Sequence, residues 1–156
     1  MKALFLAPLA LLAGCQHLNY QPPEGEETAQ VTFTSNNTAA QPVVCVPGKG
    51  FKSTEYAISQ TPFGGDALND LLETMKKSPE VTTAIPATPA TRIGVTYNRR
   101  NADNTRDRCK VALQFDPQAG SDYRAHFVHE KGQCGLSLTD ADGSSVDAVL
   151  VDWQCP

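Results

Sequence analysis

The chain has 156 residues, with 13 basic and 17 acidic side chains and a formal net charge of −4. That length suits one domain with a core of its own, and a composition 40% hydrophobic and 19% charged argues against a disordered tail. The acidic balance argues against a general nucleic-acid binder, and no apolar run reaches the ~18 residues that span a bilayer.

Met1 and Lys2 precede an uncharged apolar stretch over residues 3–12, which ends Leu12-Ala13-Gly14-Cys15. A positive start, a short apolar segment and small residues after it form a secretory signal. With a leucine, two small residues and a cysteine in register, the segment resembles the lipobox of bacterial lipoprotein precursors. The resemblance covers the first 15 residues only. It implies cleavage before Cys15 and acylation of that cysteine, hence a membrane partner through its acyl chains. One chain holds marginally and two or three hold firmly, at ~0.8 kcal/mol per buried methylene. Gln16 stands where an aspartate often retains such proteins in the inner membrane, so the resemblance implies the outer membrane, most simply its periplasmic side. Removing residues 1–14 leaves 12 basic against 17 acidic side chains.

Five cysteines thus divide into one lipidation site and four others, Cys45, Cys109, Cys134 and Cys155. An even set in an oxidising compartment reads as two disulfides with three compatible pairings. Strand adjacency favours Cys134–Cys155, leaving Cys45–Cys109.

Residues 15–29 are rich in Pro, Gly and Glu and read as a lipidated tether. The globular domain is expected over 30–156. Val31 and Phe33 alternate with threonines as a strand, and residues 43–46 form a second. Pro47-Gly48-Lys49-Gly50 is a loop without the spacing of a phosphate loop. A helix is expected around 66–77. Asp66 would be its N-cap, and Leu68, Leu71, Leu72 and Met75 would make a stripe that covers a sheet. Residues 79–91, rich in Pro, Thr and Ala, read as an extended connection. Beyond them, five alternating runs around Ile93, Cys109, Tyr123, Cys134 and Val149 are separated by turn residues and suggest an antiparallel meander. The expected fold is mainly β, an antiparallel sandwich or open barrel of about seven strands with one short helix.

No motif selects a catalytic site. A G-x-S-x-G elbow is missing, and the aspartates fall in turns or at strand ends. His126 and His129 are three apart, which puts them on opposite faces of a strand. The cysteines lack a C-x-x-C pair, and the loop starting at Asp140 lacks the glutamate of a calcium loop. No metal or cofactor is implied. The densest unusual feature is Arg99, Arg100, Arg106 and Arg108 in a connection between two strands. The plain reading is a solvated hairpin. The sharper one is an anion-facing tip, because arginine forks suit phosphate and carboxylate groups.

The sequence therefore suggests a lipid-anchored, non-enzymatic binding or accessory module of the bacterial envelope, with a protein partner in assembly or secretion. The alternative is an inhibitor or immunity protein that inserts residues 47–52 or 98–107 into an envelope-targeting hydrolase.

Overall fold

The computed structural model describes residues 19–37, 39–59 and 65–156. The expected lipidation site Cys15 and the lipobox-like segment Leu12-Ala13-Gly14-Cys15 lie outside them. The described chain forms eleven strands and one helix. In order these are β1 (Thr28–Ser35), β2 (Ala40–Val46), β3 (Gly50–Ser53), β4 (Ala57–Ile58), α1 (Asp66–Thr74), β5 (Lys77–Ser78), β6 (Val81–Pro86), β7 (Thr91–Arg100), β8 (Arg106–Phe115), β9 (Asp122–Glu130), β10 (Gln133–Asp140) and β11 (Val149–Val151). They build two sheets and no closed barrel. One has four strands in the order β10-β9-β1-β6. The other has seven in the order β11-β8-β7-β2-β4-β5, with β3 paired to β2.

The core lies between the two sheets. Val31 and Phe33 of β1, Ile85 of β6 and Ala125 and Phe127 of β9 meet Val44 of β2, Ile93, Val95 and Tyr97 of β7 and Leu113 of β8. Each set recurs every second residue, as strands with one face on the core require.

The expected meander is divided between the sheets. Hairpin β7–β8 belongs to the large sheet, whereas hairpin β9–β10 belongs to the small one, where β9 runs parallel to β1. Residues 116–121, with Pro117 and a left-handed Gly120 (φ 73°), make the crossing. Six residues suffice for the ~10 Å between packed sheets. The expected connection at 79–91 contains β6, which pairs antiparallel with β1 from Thr28↔Pro86 to Phe33↔Val81. Its Val81 and Ile85 face the core, and Pro86 is tolerated at the end of an edge strand.

The helix is shorter than expected and differently capped. Gly65, extended at φ −156° and ψ 142°, is the N-cap, and α1 stops at Thr74. Lys76 adopts φ 51°, and Lys77 and Ser78 then pair in parallel with Ala57 and Ile58. The sheet thus takes the two residues that would have continued the helix. Nor does its stripe cover a sheet: α1 buries no residue, and Leu71 and Met75 are about half exposed.

Within the expected tether of residues 15–29, Asn19 and Tyr20 already belong to the folded domain. Tyr20 is a member of the core, 6% exposed. Its N–H donates to Ser53 O at 2.7 Å and its hydroxyl to Ala84 O at 2.9 Å, while Asn19 bridges to Ser53. The segment's backbone thus lies beside β3, and its Tyr20 hydroxyl occupies one backbone oxygen on β6.

The disulfides are Cys45–Cys155 and Cys109–Cys134, which corrects the pairing Cys45–Cys109 with Cys134–Cys155. The reason is the face on which each cysteine lies. Cys109 pairs across from the core residue Tyr97, so it faces the other sheet and joins β8 to β10. Cys45 sits on the opposite, outer face of the large sheet, across from Phe51. Strand β11 ends at Val151, and the last residues turn onto that outer face. There Trp153 stacks on Phe51 with ring centroids 4.4 Å apart, and Cys155 reaches Cys45.

Candidate functional site

Hairpin β7–β8 is longer than the strands beside it. Strand β2 accompanies β7 only as far as Tyr97, and β11 accompanies β8 only at Ala112 to Gln114. The pairs Asn98↔Arg108, Arg99↔Asp107 and Arg100↔Arg106 therefore form a two-stranded ribbon with no flanking strand among the described residues. Its turn is built from side chains. Asp103 Oδ1 accepts from the Thr105 hydroxyl at 2.7 Å and from its N–H at 3.1 Å, and these bonds hold the Asp103 carboxyl below its ordinary range. Arg100 Nε donates to Asn104 Oδ1 at 2.7 Å, and Asn104 has φ 71°. Asparagine tolerates that conformation better than most residues.

The register sorts the four arginines. Paired residues point to one face, and successive residues alternate. Arg100, Arg106 and Arg108 share the outer face of the large sheet. Arg99 lies on the other face with Asp107. Asp107 Oδ2 is 3.2 Å from His129 Nε2, and that imidazole stacks on Tyr97 with centroids 4.4 Å apart. The acid that sequence composition would set against the arginines is thus turned away from three of them.

Lys110 extends the row. It follows Arg106 and Arg108 at the same two-residue interval and lies over the Trp153 ring, 5.4 Å from its centroid. The alternation in Arg106-Asp107-Arg108-Cys109-Lys110 is the sequence signal for this row. Arg106, Arg108 and Lys110 thus form a row along β8, Arg100 stands across from Arg106 on β7, and the three arginine side chains are exposed.

The remaining candidates are occupied structurally. His126 and His129 fall on opposite faces of β9. His126 Nδ1 is 2.9 Å from Thr34 Oγ1, and the His129 side chain is 9% exposed at the end of the core. Asp140 Oδ1 accepts the N–H groups of Asp142 and Ser144 at 3.0 and 2.8 Å, which closes the turn. Asp116 Oδ1 accepts from Ala90 N–H at 2.7 Å. Among the described residues, no three His, Cys, Asp or Glu side chains converge as a metal set would. The loop at 47–52 is tied down through Phe51.

A second feature is a groove of about 910 Å³ between residues 19–22, residues 54–56, Lys76 and residues 81–84. Most of its lining residues are neutral, with Glu55 and Lys76 the charged ones. Lys76 Nζ and Glu55 Oε1 are 3.3 Å apart there, a pair too exposed to contribute much.

No protein-family model matches the chain, and no curated protein matches it.

Proposed function

We propose that this protein is a lipid-anchored, non-enzymatic binding module of the bacterial envelope, which engages an anionic partner through the outer face of the β7–β8 ribbon. The observation that carries this reading is the alignment of Arg100, Arg106, Arg108 and Lys110 on one face, with Asp107 on the other. Guanidinium forks bind phosphate and carboxylate groups bidentately, and several in a row recognise a surface better than a point charge. In an envelope such groups belong to lipid A phosphates, peptidoglycan carboxylates or an acidic protein patch. Two disulfides suit the oxidising compartment that the lipobox implies, and Cys15 followed by Gln16 supports outer-membrane anchoring towards the periplasm. The non-enzymatic reading is supported by acids such as Asp103, Asp116 and Asp140, which are committed to holding turns.

The test is retention of the protein by purified sacculi, by lipid A vesicles and by envelope proteins at rising salt. One partner class should retain it at low ionic strength and release it as exposed charges are screened over the ~8 Å Debye length of physiological salt. Replacing Arg100, Arg106 and Arg108 together by Gln should lower that affinity at least ~10-fold, since hydrogen bonds to charged groups contribute ~1.5–3 kcal/mol each. Undiminished retention of the triple variant would overturn the reading. The inhibitor reading draws on the unflanked ribbon, which has the form of an insertable finger. It requires one-to-one binding to a hydrolase with loss of that enzyme's activity.

A further inference from the structure

We infer that the outer segment of the chain holds the domain against the bilayer, and that the lipid surface covers the exposed apolar residues Leu71 and Met75 of α1. This inference rests on the lipid-anchor reading of Cys15.

The first ground is a length. The backbone is fixed at Asn19 and Tyr20 by the bridge to Ser53 and the two hydrogen bonds of Tyr20. Cys15 stands only four residues before Asn19. Whatever path those residues take, they span at most ~14 Å, at ~3.3–3.6 Å per residue. The acyl chains place Cys15 at the membrane surface, so Asn19 cannot leave it by more than that distance.

The second ground is position. Residues 19–22 line the groove together with Lys76, and Lys76 directly follows Met75. The end of α1 therefore belongs to the part of the domain from which the anchor departs. The third is the helix itself. It buries nothing, yet Leu71 and Met75, 53% and 51% exposed, lie four residues apart and so on one helical face. Leu68 and Leu72 beside them are half-buried. An acylated Cys15 brings one apolar phase, the bilayer, to within four residues of Asn19, on the groove that Lys76 also lines. With Asp66, Asp70 and Glu73 on the helix, attraction to anionic lipid does not drive the contact. Apolar burial at the headgroup boundary does.

The experiment is amide hydrogen exchange over residues 66–75. It compares the acylated full chain in phosphatidylethanolamine–phosphatidylglycerol vesicles with the unacylated Cys15→Ser protein in solution. Flotation and the mass of the N-terminal peptide report acylation separately. The expected result is exchange slowed several-fold on the vesicles, to a similar degree with or without phosphatidylglycerol. The slowing should be lost in Leu71→Glu/Met75→Glu, which alters exposed positions only. It should also be lost when a Gly-Ser spacer of about ten residues is placed between Gln16 and His17, which lengthens the chain between Cys15 and Asn19. Equal exchange in the floated acylated protein and the soluble one would overturn the inference and leave the anchor reading standing. Protection that survives the spacer would overturn the role of the short anchor. A chain that carries no acyl group would remove the anchor reading and this inference together.

Discussion

Trp153 lies against Gly94. A β-carbon built on Gly94 would stand 3.1 Å from the indole Cζ3 and 2.7 Å from the backbone oxygen of Val111. The close approach lets the C-terminal segment lie flat on the outer face of the large sheet, where Phe51 stacks on the indole and Cys155 bonds to Cys45. Gly94→Ala should therefore destabilise the protein by about 1–3 kcal/mol, because the neighbour it meets is backbone and cannot swing aside. Trp153 is the only tryptophan, so denaturant titration followed by its fluorescence measures both the loss of stability and any loosening of the segment.

The two disulfides should differ in what they hold. Cys45–Cys155 joins positions 110 residues apart and Cys109–Cys134 positions 25 apart. The chain-entropy model assigns them about 4.8 and about 3.5 kcal/mol. Cys45→Ser/Cys155→Ser should lower the urea midpoint more than Cys109→Ser/Cys134→Ser. Only the first should red-shift tryptophan emission under native conditions, because it frees the segment that carries Trp153.

Tyr20 gives the fold an alkaline limit. Burial pushes its phenol from 10.0 up to about 12, with the charge of Glu26 adding to the shift. A group whose folded value is raised contributes stability that is whole below the unfolded value and is lost as pH rises through the folded one. Unfolding free energy should hold up to about pH 10 and fall from there towards pH 12. In Tyr20→Phe, which lacks the bond to Ala84 O, this part of the decline should be absent although the starting stability is lower. Urea unfolding at intervals between pH 8 and 11 compares the two slopes.

Much of the fold was legible where alternation was unbroken. Ile93, Val95 and Tyr97, and Tyr123, Ala125 and Phe127, marked β7 and β9 by period two alone. What failed were features that period two does not encode. In Val43-Val44-Cys45-Val46 every residue is apolar, so parity could not say that Cys45 faces outward. Cys155 lies past the end of β11, where strand phase no longer applies. Tyr20 stands in a polar, proline-rich stretch with no periodic neighbour, so only its long-range bonds to Ser53 and Ala84 disclose that it belongs to the core. Strand β6 was hidden by its threonines and by Pro86, which an edge position allows. In the site, the arginines were visible as a cluster, but their division into faces needed the register Arg99↔Asp107.

The division of the arginines is also the sharpest point of attack on the functional reading. The measurement is photo-crosslinking in intact cells, with the reactive side chain placed singly at position 106, 108 or 99 of the full-length protein. The outer-face positions 106 and 108 should give the same partner adduct, weakened by high salt, whereas position 99, beside Asp107, should give little or none. Equal adducts from position 99, or none from 106 and 108, would contradict the claim that the outer face of the ribbon is the binding surface.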